Sequence, residues 1–162
     1  MLTAHLPSGY ISARVAQGRW SIPHAMPVAL VASILPDFDM IWFHLIDHGA
    51  FHHHRYWVHV PLFWAVVAGV TLPLMRAIAR FRPYVSTALL AFAVILLHLI
   101  LDSIGGGILW GAPFSQHLFR LITVPPDNGH WIASFVLHWS FGLEIIIWIW
   151  AFYLWKWRER HL

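Results

Sequence analysis

Cysteine is absent from the 162 residues, so thiolate metal sites, disulfides and thiol catalysis are all excluded. Any metal would be held by nitrogen and oxygen. Charge is nearly as scarce: 10% of residues are Asp, Glu, Lys or Arg, where a soluble domain carries about a quarter. With 59% hydrophobic residues, this is the composition of a membrane protein. The net charge of +3 is small and its basic residues are dispersed, which argues against a nucleic-acid surface. Met1 to Arg19 lacks the basic start and continuous apolar core of a cleavable signal peptide, so the first membrane segments are expected to direct insertion themselves. Repeats, low-complexity tracts and linkers are also missing. A single membrane-embedded domain over residues 1–162 is expected.

What the chain does have is histidine and tryptophan, 13 and 11 residues respectively. The tryptophans suit membrane-interface belts. Apolar runs predict an all-α integral membrane bundle with three clear transmembrane spans, Trp57–Met75, Tyr84–Leu101 and Trp131–Trp155. Pro61 suits a first helical turn, Pro73 should kink or end its helix, and Gly105, Gly106 and Gly107 should end the next. Ile108–Val124, broken by Gly111 and Pro113, reads as an interfacial or re-entrant loop. Before these spans, His5–Ala16 and Met26–Leu35 are each too short to cross a bilayer. They form either one tilted span over Ile22–Ile46 or a helical hairpin whose open ends, His5 and Asp37, share one side. The cost of carboxylates facing lipid favours the hairpin.

Arg76, Arg80 and Arg82, with Lys156, Arg158 and Arg160, fall on one side if three spans follow, and the positive-inside rule makes that side cytoplasmic. The stretch Phe51–His59, with five residues of imidazole or guanidinium character, then opens outward. His98 and Asp102 lie four apart on one helix face at the same end. His54 and His59 approach from the preceding helix start, and the hairpin would add His5, Asp37 and Asp39. Neutral imidazoles with carboxylates suit zinc first, with manganese and iron also accommodated, and a bridging carboxylate would permit two metals.

Plainer readings exist for each part. His98 with Asp102 alone could be a hydrogen-bonded pair, and Leu35-Pro36-Asp37-Phe38-Asp39 could be a helix stop and N-cap. His52 and His53 read as solvated loop residues. His24, His44, His48, His117, His130 and His161 read as interfacial polar groups, with His117 the exception to watch after Pro113-Phe114-Ser115. Glu144, near the middle of the last run, reads as a protonated, hydrogen-bonded group or as part of an ion path. Together, the dispersed imidazoles and carboxylates favour a site over coincidence.

In order, His5, Leu35-Pro36-Asp37-Phe38-Asp39, His54-Arg55-x-x-x-His59, His98-x-x-x-Asp102, and Leu109-Trp110 with Pro113-Phe114-Ser115 resemble the bacterial inner-membrane-associated metal-dependent hydrolases (YdjM-like). The resemblance runs to about Pro125 and implies a multi-pass protein of the bacterial inner membrane with a metal-assisted hydrolytic site. Two departures stand out. The family pattern has Gly-x-Thr-His-Ser after the arginine, where this chain has Tyr56-Trp57-Val58-His59-Val60 and lacks both hydroxyls. A threonine usually follows the helix-end aspartate, where this chain has Ser103-Ile104-Gly105.

The expected function is therefore hydrolysis by metal-activated water at the outward interface. His5, Asp37, Asp39, His54, His59, His98 and Asp102 are the expected metal ligands, with Asp37 or Asp39 as base and Arg55 pairing with a substrate anion. A lipid-linked or phosphoester substrate and membrane lipid are the expected partners. The rivals are a cation- or proton-handling membrane protein and a scaffold for partner helices.

Overall fold

The computed structural model describes residues 3–125 and 129–159; Arg160 and His161, discussed above with the tail and the histidines, lie outside them. Among the described residues there are seven α-helices and no named strand: α1 His5–Gln17, α2 Ala25–Ile34, α3 Asp39–Leu45, α4 Pro61–Ala77, α5 Val85–Gly105, α6 Trp131–Leu137 and α7 Phe141–Glu159.

The hairpin arrangement is the one observed. The small residues Gly9, Ala13 and Ala16 on α1 are buried, as are Ala25, Ala29, Ala32 and Ser33 on α2. Helices that present small side chains to one another can bring their backbones close, a device suited to lipid, where burial of apolar side chains supplies little drive. Gly9 shows how close. A Cβ there would sit 2.6 Å from Ser33 Cβ and 2.8 Å from the Ala29 carbonyl oxygen. The hairpin lies against α5, where Ala13, Ala29 and Ala32 meet Val94 and Ile95 in a buried core. Thr87 Oγ1, near the start of α5, donates to the Pro23 carbonyl at 2.7 Å and ties down the hairpin's turn. His5 and Asp37 thereby arrive at the opposite end, beside the last turns of α5.

Helix α5 is 21 residues of mostly Leu, Ile, Val and Ala, about 31 Å at 1.5 Å per residue, which matches a bilayer's hydrocarbon core. With its 3-10 lead-in it is, among the described residues, the helix long and apolar enough to cross a membrane, and α2 with the segment Pro36–Leu45 passes the same test only as a pair bent by 48°. The other two expected spans are shorter than the sequence suggested. Residues 53–59 form two 3-10 turns, so α4 begins at Pro61 rather than Trp57. Helix α4 continues past Pro73 to Ala77. The Trp131–Trp155 run divides at His138, which is extended and whose Nδ1 accepts the Ser140 N–H at 3.3 Å; such side-chain to backbone bonding competes with helix.

Apolar side chains are widely exposed. On α4, Leu62, Val66, Val70 and Leu74 recur every four residues as an exposed stripe, and so large an uncovered apolar surface fits contact with lipid. A buried acid inside the bundle is paired. Glu144 is fully buried and accepts the Thr3 N–H and hydroxyl, both at 2.6 Å, which anchors the chain just before α1 to α7.

Candidate metal centre

Four chain segments meet at one end of the bundle: the start of α1, the α2–α3 bend, the 3-10 turns before α4, and the last turns of α5. Asp102 lies at their centre with its side chain 1% exposed. Its Oδ1 is 3.1 Å from Nε2 of His5. Its Oδ2 is 3.1 Å from Nε2 of His98, 3.5 Å from Nε2 of His54 and 3.8 Å from Nε2 of His59. Asp37 supplies a second carboxylate, with Oδ1 3.6 Å from Nε2 of His98 and 3.8 Å from Nε2 of His59.

The other ring nitrogens are held from behind. Nδ1 of His98 lies 2.8 Å from the Ser33 carbonyl oxygen, and Nδ1 of His54 lies 2.9 Å from that of Gly107. A carbonyl can only accept, so each Nδ1 carries a proton, and whenever such a ring is neutral its Nε2 lone pair is turned toward Asp102. Lone pair against carboxylate is repulsive unless a cation lies between them. Nε2 of His98 and Nε2 of His59 are buried without a hydrogen bond. Nδ1 of His59 lies 2.7 Å from Oδ2 of Asp39, the carboxylate–histidine pairing that orients metal ligands. The donor set therefore fits a divalent metal.

Electrostatics differ between the two rings outside the helices. Burial pushes His54 down to about 3 against the pull of Asp102, so the ring is neutral. Burial opposes charge on His59 too, but the carboxylates of Asp37, Asp39 and Asp102 around it outweigh that and push the ring up to about 9.

The Asp37–Asp39 turn does not cap a helix. The N-cap positions of its 3-10 turn and of α3 are Leu35 and Phe38, and neither makes a side-chain cap. Asp39 faces His59 and His53 and stands behind the ring of His59, whereas Asp37 faces the centre. Asp37 is also the open carboxylate, with its side chain 34% exposed against 5% for Asp39 and 1% for Asp102.

Other expected residues fall around this centre. Arg55 is exposed beside His54. His53, read from sequence as a solvated loop residue, is half-buried and groups with His54 and His59 as a possible ligand set, because two successive 3-10 turns fold the segment onto itself. The signal for it was adjacency to His54 alone. His52 accepts the His54 N–H at 3.2 Å, and His130 accepts that of Ile132 at 3.2 Å. The Tyr56 hydroxyl donates to Asp47, so it does not replace the missing hydroxyls of the arginine motif in the centre. Ser103 is buried, donating to the Leu99 carbonyl at 2.8 Å and accepting from Trp110 Nε1 at 2.7 Å. Trp110 carries the contact onward to a cleft of about 390 Å³ that it lines with Gly111, Ser115, His117 and Phe119.

A family model described as the YdjM inner membrane protein matches residues 1–161, and the chain belongs to that family. Neither the curated proteins nor the solved structures yield a match.

Proposed function

From membership of this inner membrane family, we propose that the chain is a multi-pass, metal-dependent hydrolase whose site faces outward from the bacterial inner membrane and acts on a lipid-linked or phosphoester substrate. The observation that carries the reading is the set of imidazole Nε2 atoms converging on Asp37 and Asp102, with the Nδ1 atoms of His54, His59 and His98 engaged behind them. Zinc is the first choice of ion for such a donor set. His5, His54, His59, His98, Asp37 and Asp102 would hold metal, and Asp39 would hold His59 in place. A divalent cation bound there supplies Lewis-acid polarisation of the ester and acidifies water near neutral pH.

The exposure of Asp37 makes it the group in reach of incoming water. Its carboxylate takes the proton as the water oxygen bonds to the ester's phosphorus or acyl carbon. The bond to the leaving oxygen breaks with its electron pair, and that oxygen receives the proton. Arg55, exposed next to His54, pairs with an anionic group of the substrate. The aromatic cleft reached through Trp110 accepts part of the organic group.

Sidedness rests on charge. Helix α1 runs from His5 toward Arg14 and Arg19, and Arg76, Arg80 and Arg82 lie between the far ends of α4 and α5. The basic residues of these segments thus sit about a helix length from the site, and the positive-inside rule puts them in the cytoplasm.

Protein purified in detergent, analysed for metal and screened against phosphoesters and lipid esters, tests the reading. Chelator-sensitive turnover that is lost in Asp37→Asn is expected. Bound metal without turnover, together with chelator-sensitive cation flux in proteoliposomes, would replace hydrolysis with cation handling.

A further inference from the structure

We infer that this centre is built for two metal ions sharing Asp37 and Asp102, with His5 and His98 completing one position and His54 and His59 the other. The inference deepens the hydrolase reading and takes its ligand set from it. Six donor groups converge, whereas a structural or catalytic zinc uses about four ligands including water. One ion leaves two of these groups without a task, or three where water fills one position.

The rings are sorted into pairs. His5 and His98 stack with centroids 3.8 Å apart, and His54 and His59 lie 4.6 Å apart, while His59 and His98 are separated by 5.6 Å across the carboxylates. Ligand atoms of His5, Asp37, His98 and Asp102 lie within 4.8 Å of one another, and so, separately, do those of His53, His54 and His59. The carboxylates join the two sets. Asp102 Oδ1 faces His5 while its Oδ2 stands between the two sets, 3.1 Å from His98, 3.5 Å from His54 and 3.8 Å from His59, and Oδ1 of Asp37 stands between His98 and His59 at 3.6 and 3.8 Å. A carboxylate presented to two nitrogen sets at once has the form of a bridge.

The elements explain why both sets are kept. His5 comes from the hairpin and His98 from α5, whereas His54 and His59 come from the 3-10 turns, each fastened independently through Gly107 and Asp39. Loss of one set therefore leaves the other's supports intact. Paired metals about 3.5–4 Å apart stabilise both the attacking and the leaving oxygen of an in-line displacement, the arrangement that phosphatases and nucleases use. The substrate class that follows is a phosphoester, either a lipid headgroup or a soluble one.

Manganese is the probe. Metal-free protein titrated with Mn²⁺ should bind two ions per chain and give the multiline paramagnetic resonance spectrum of an exchange-coupled pair. His5→Ala and His54→Ala should each retain one ion with an uncoupled six-line spectrum. Saturation of the unmodified protein at one ion per chain would overturn the inference whatever the variants do, and would leave single-metal hydrolysis standing. A coupled pair in protein that turns over no ester supports the two-ion centre while removing the hydrolase reading. Where turnover is found, a phosphodiester in solution and phosphatidylglycerol vesicles separate the two substrate sources, and cleavage of carboxyl esters alone would count against the phosphoester class.

Discussion

Gly106→Ala should damage the metal centre without touching a ligand. A Cβ at Gly106 would collide with Cε1 of His54 and stand 2.9 Å from its Nδ1, where carbon and nitrogen normally rest at about 3.5–4.0 Å. His54 has little room to yield, because Nδ1 is 2.9 Å from the Gly107 carbonyl oxygen and Nε2 is 3.5 Å from Asp102. The backbone at Gly106 is right-handed, φ −83° and ψ −33°, so alanine is otherwise compatible there. Propensity alone would then favour alanine by roughly 0.5–1 kcal/mol. Against it stand overpacking of about 1–3 kcal/mol and loss of the His54–Gly107 hydrogen bond at about 1 kcal/mol. The clash wins, for a net destabilisation of about 1–3 kcal/mol, and metal affinity should fall roughly 10–100-fold as His54 loses its support. Gly105→Ala is the control, since its Cβ meets only Phe135 Cε2 at 3.7 Å, an ordinary contact. Thermal unfolding in detergent and competition with a chelator of known affinity read both quantities. Native metal affinity in Gly106→Ala would refute the placement of His54.

Asp39→Asn should lower metal affinity about 10–100-fold by loosening His59, whereas Asp37→Asn, which removes a ligand charge together with the base, should lower metal affinity and also cost two or more orders of magnitude in turnover at saturating metal, the scale of general-base catalysis; the two effects are read by chelator competition and by initial rates. Equal, near-native rates in both would make the turn architectural. Glu144→Ala leaves the Thr3 N–H and hydroxyl without their buried acceptor and should destabilise the protein by about 1–3 kcal/mol, with Glu144→Gln milder, as measured by thermal unfolding. For sidedness, a cysteine replacing exposed Gln116 should react with an impermeant thiol reagent from outside and one replacing Arg80 should not; no native cysteine interferes, and the reverse pattern would invert the topology. Ser103 is unsuitable for such labelling because it is buried.

Local chemistry already visible in the chain accounts for the helices of the first half. The ends of α1 and α2 fall within a residue or so of the apolar segments, and three consecutive glycines stop α5 at Gly105. Pro61 at the first helical turn was a legible start signal for α4, and the apolar run beginning at Trp57 obscured it. The division of the last run at His138 was not legible, because one side chain bonding its neighbour's backbone leaves no mark on hydrophobic periodicity.

The residue types of the centre were likewise open to reading: histidines and aspartates at one end of apolar helices, with no cysteine to compete. Their division of labour was not. Asp37 and Asp39 are two residues apart and chemically identical, and only the bend after Ile34 turns one toward the centre and sets the other behind His59. Periodicity equally allowed residues 22–46 to be a span or half of a hairpin. The close approach of Gly9 to Ser33 and Ala29 decided between them, because contact between small residues distant in sequence is a property of packing, and that packing is what carries His5 to Asp102.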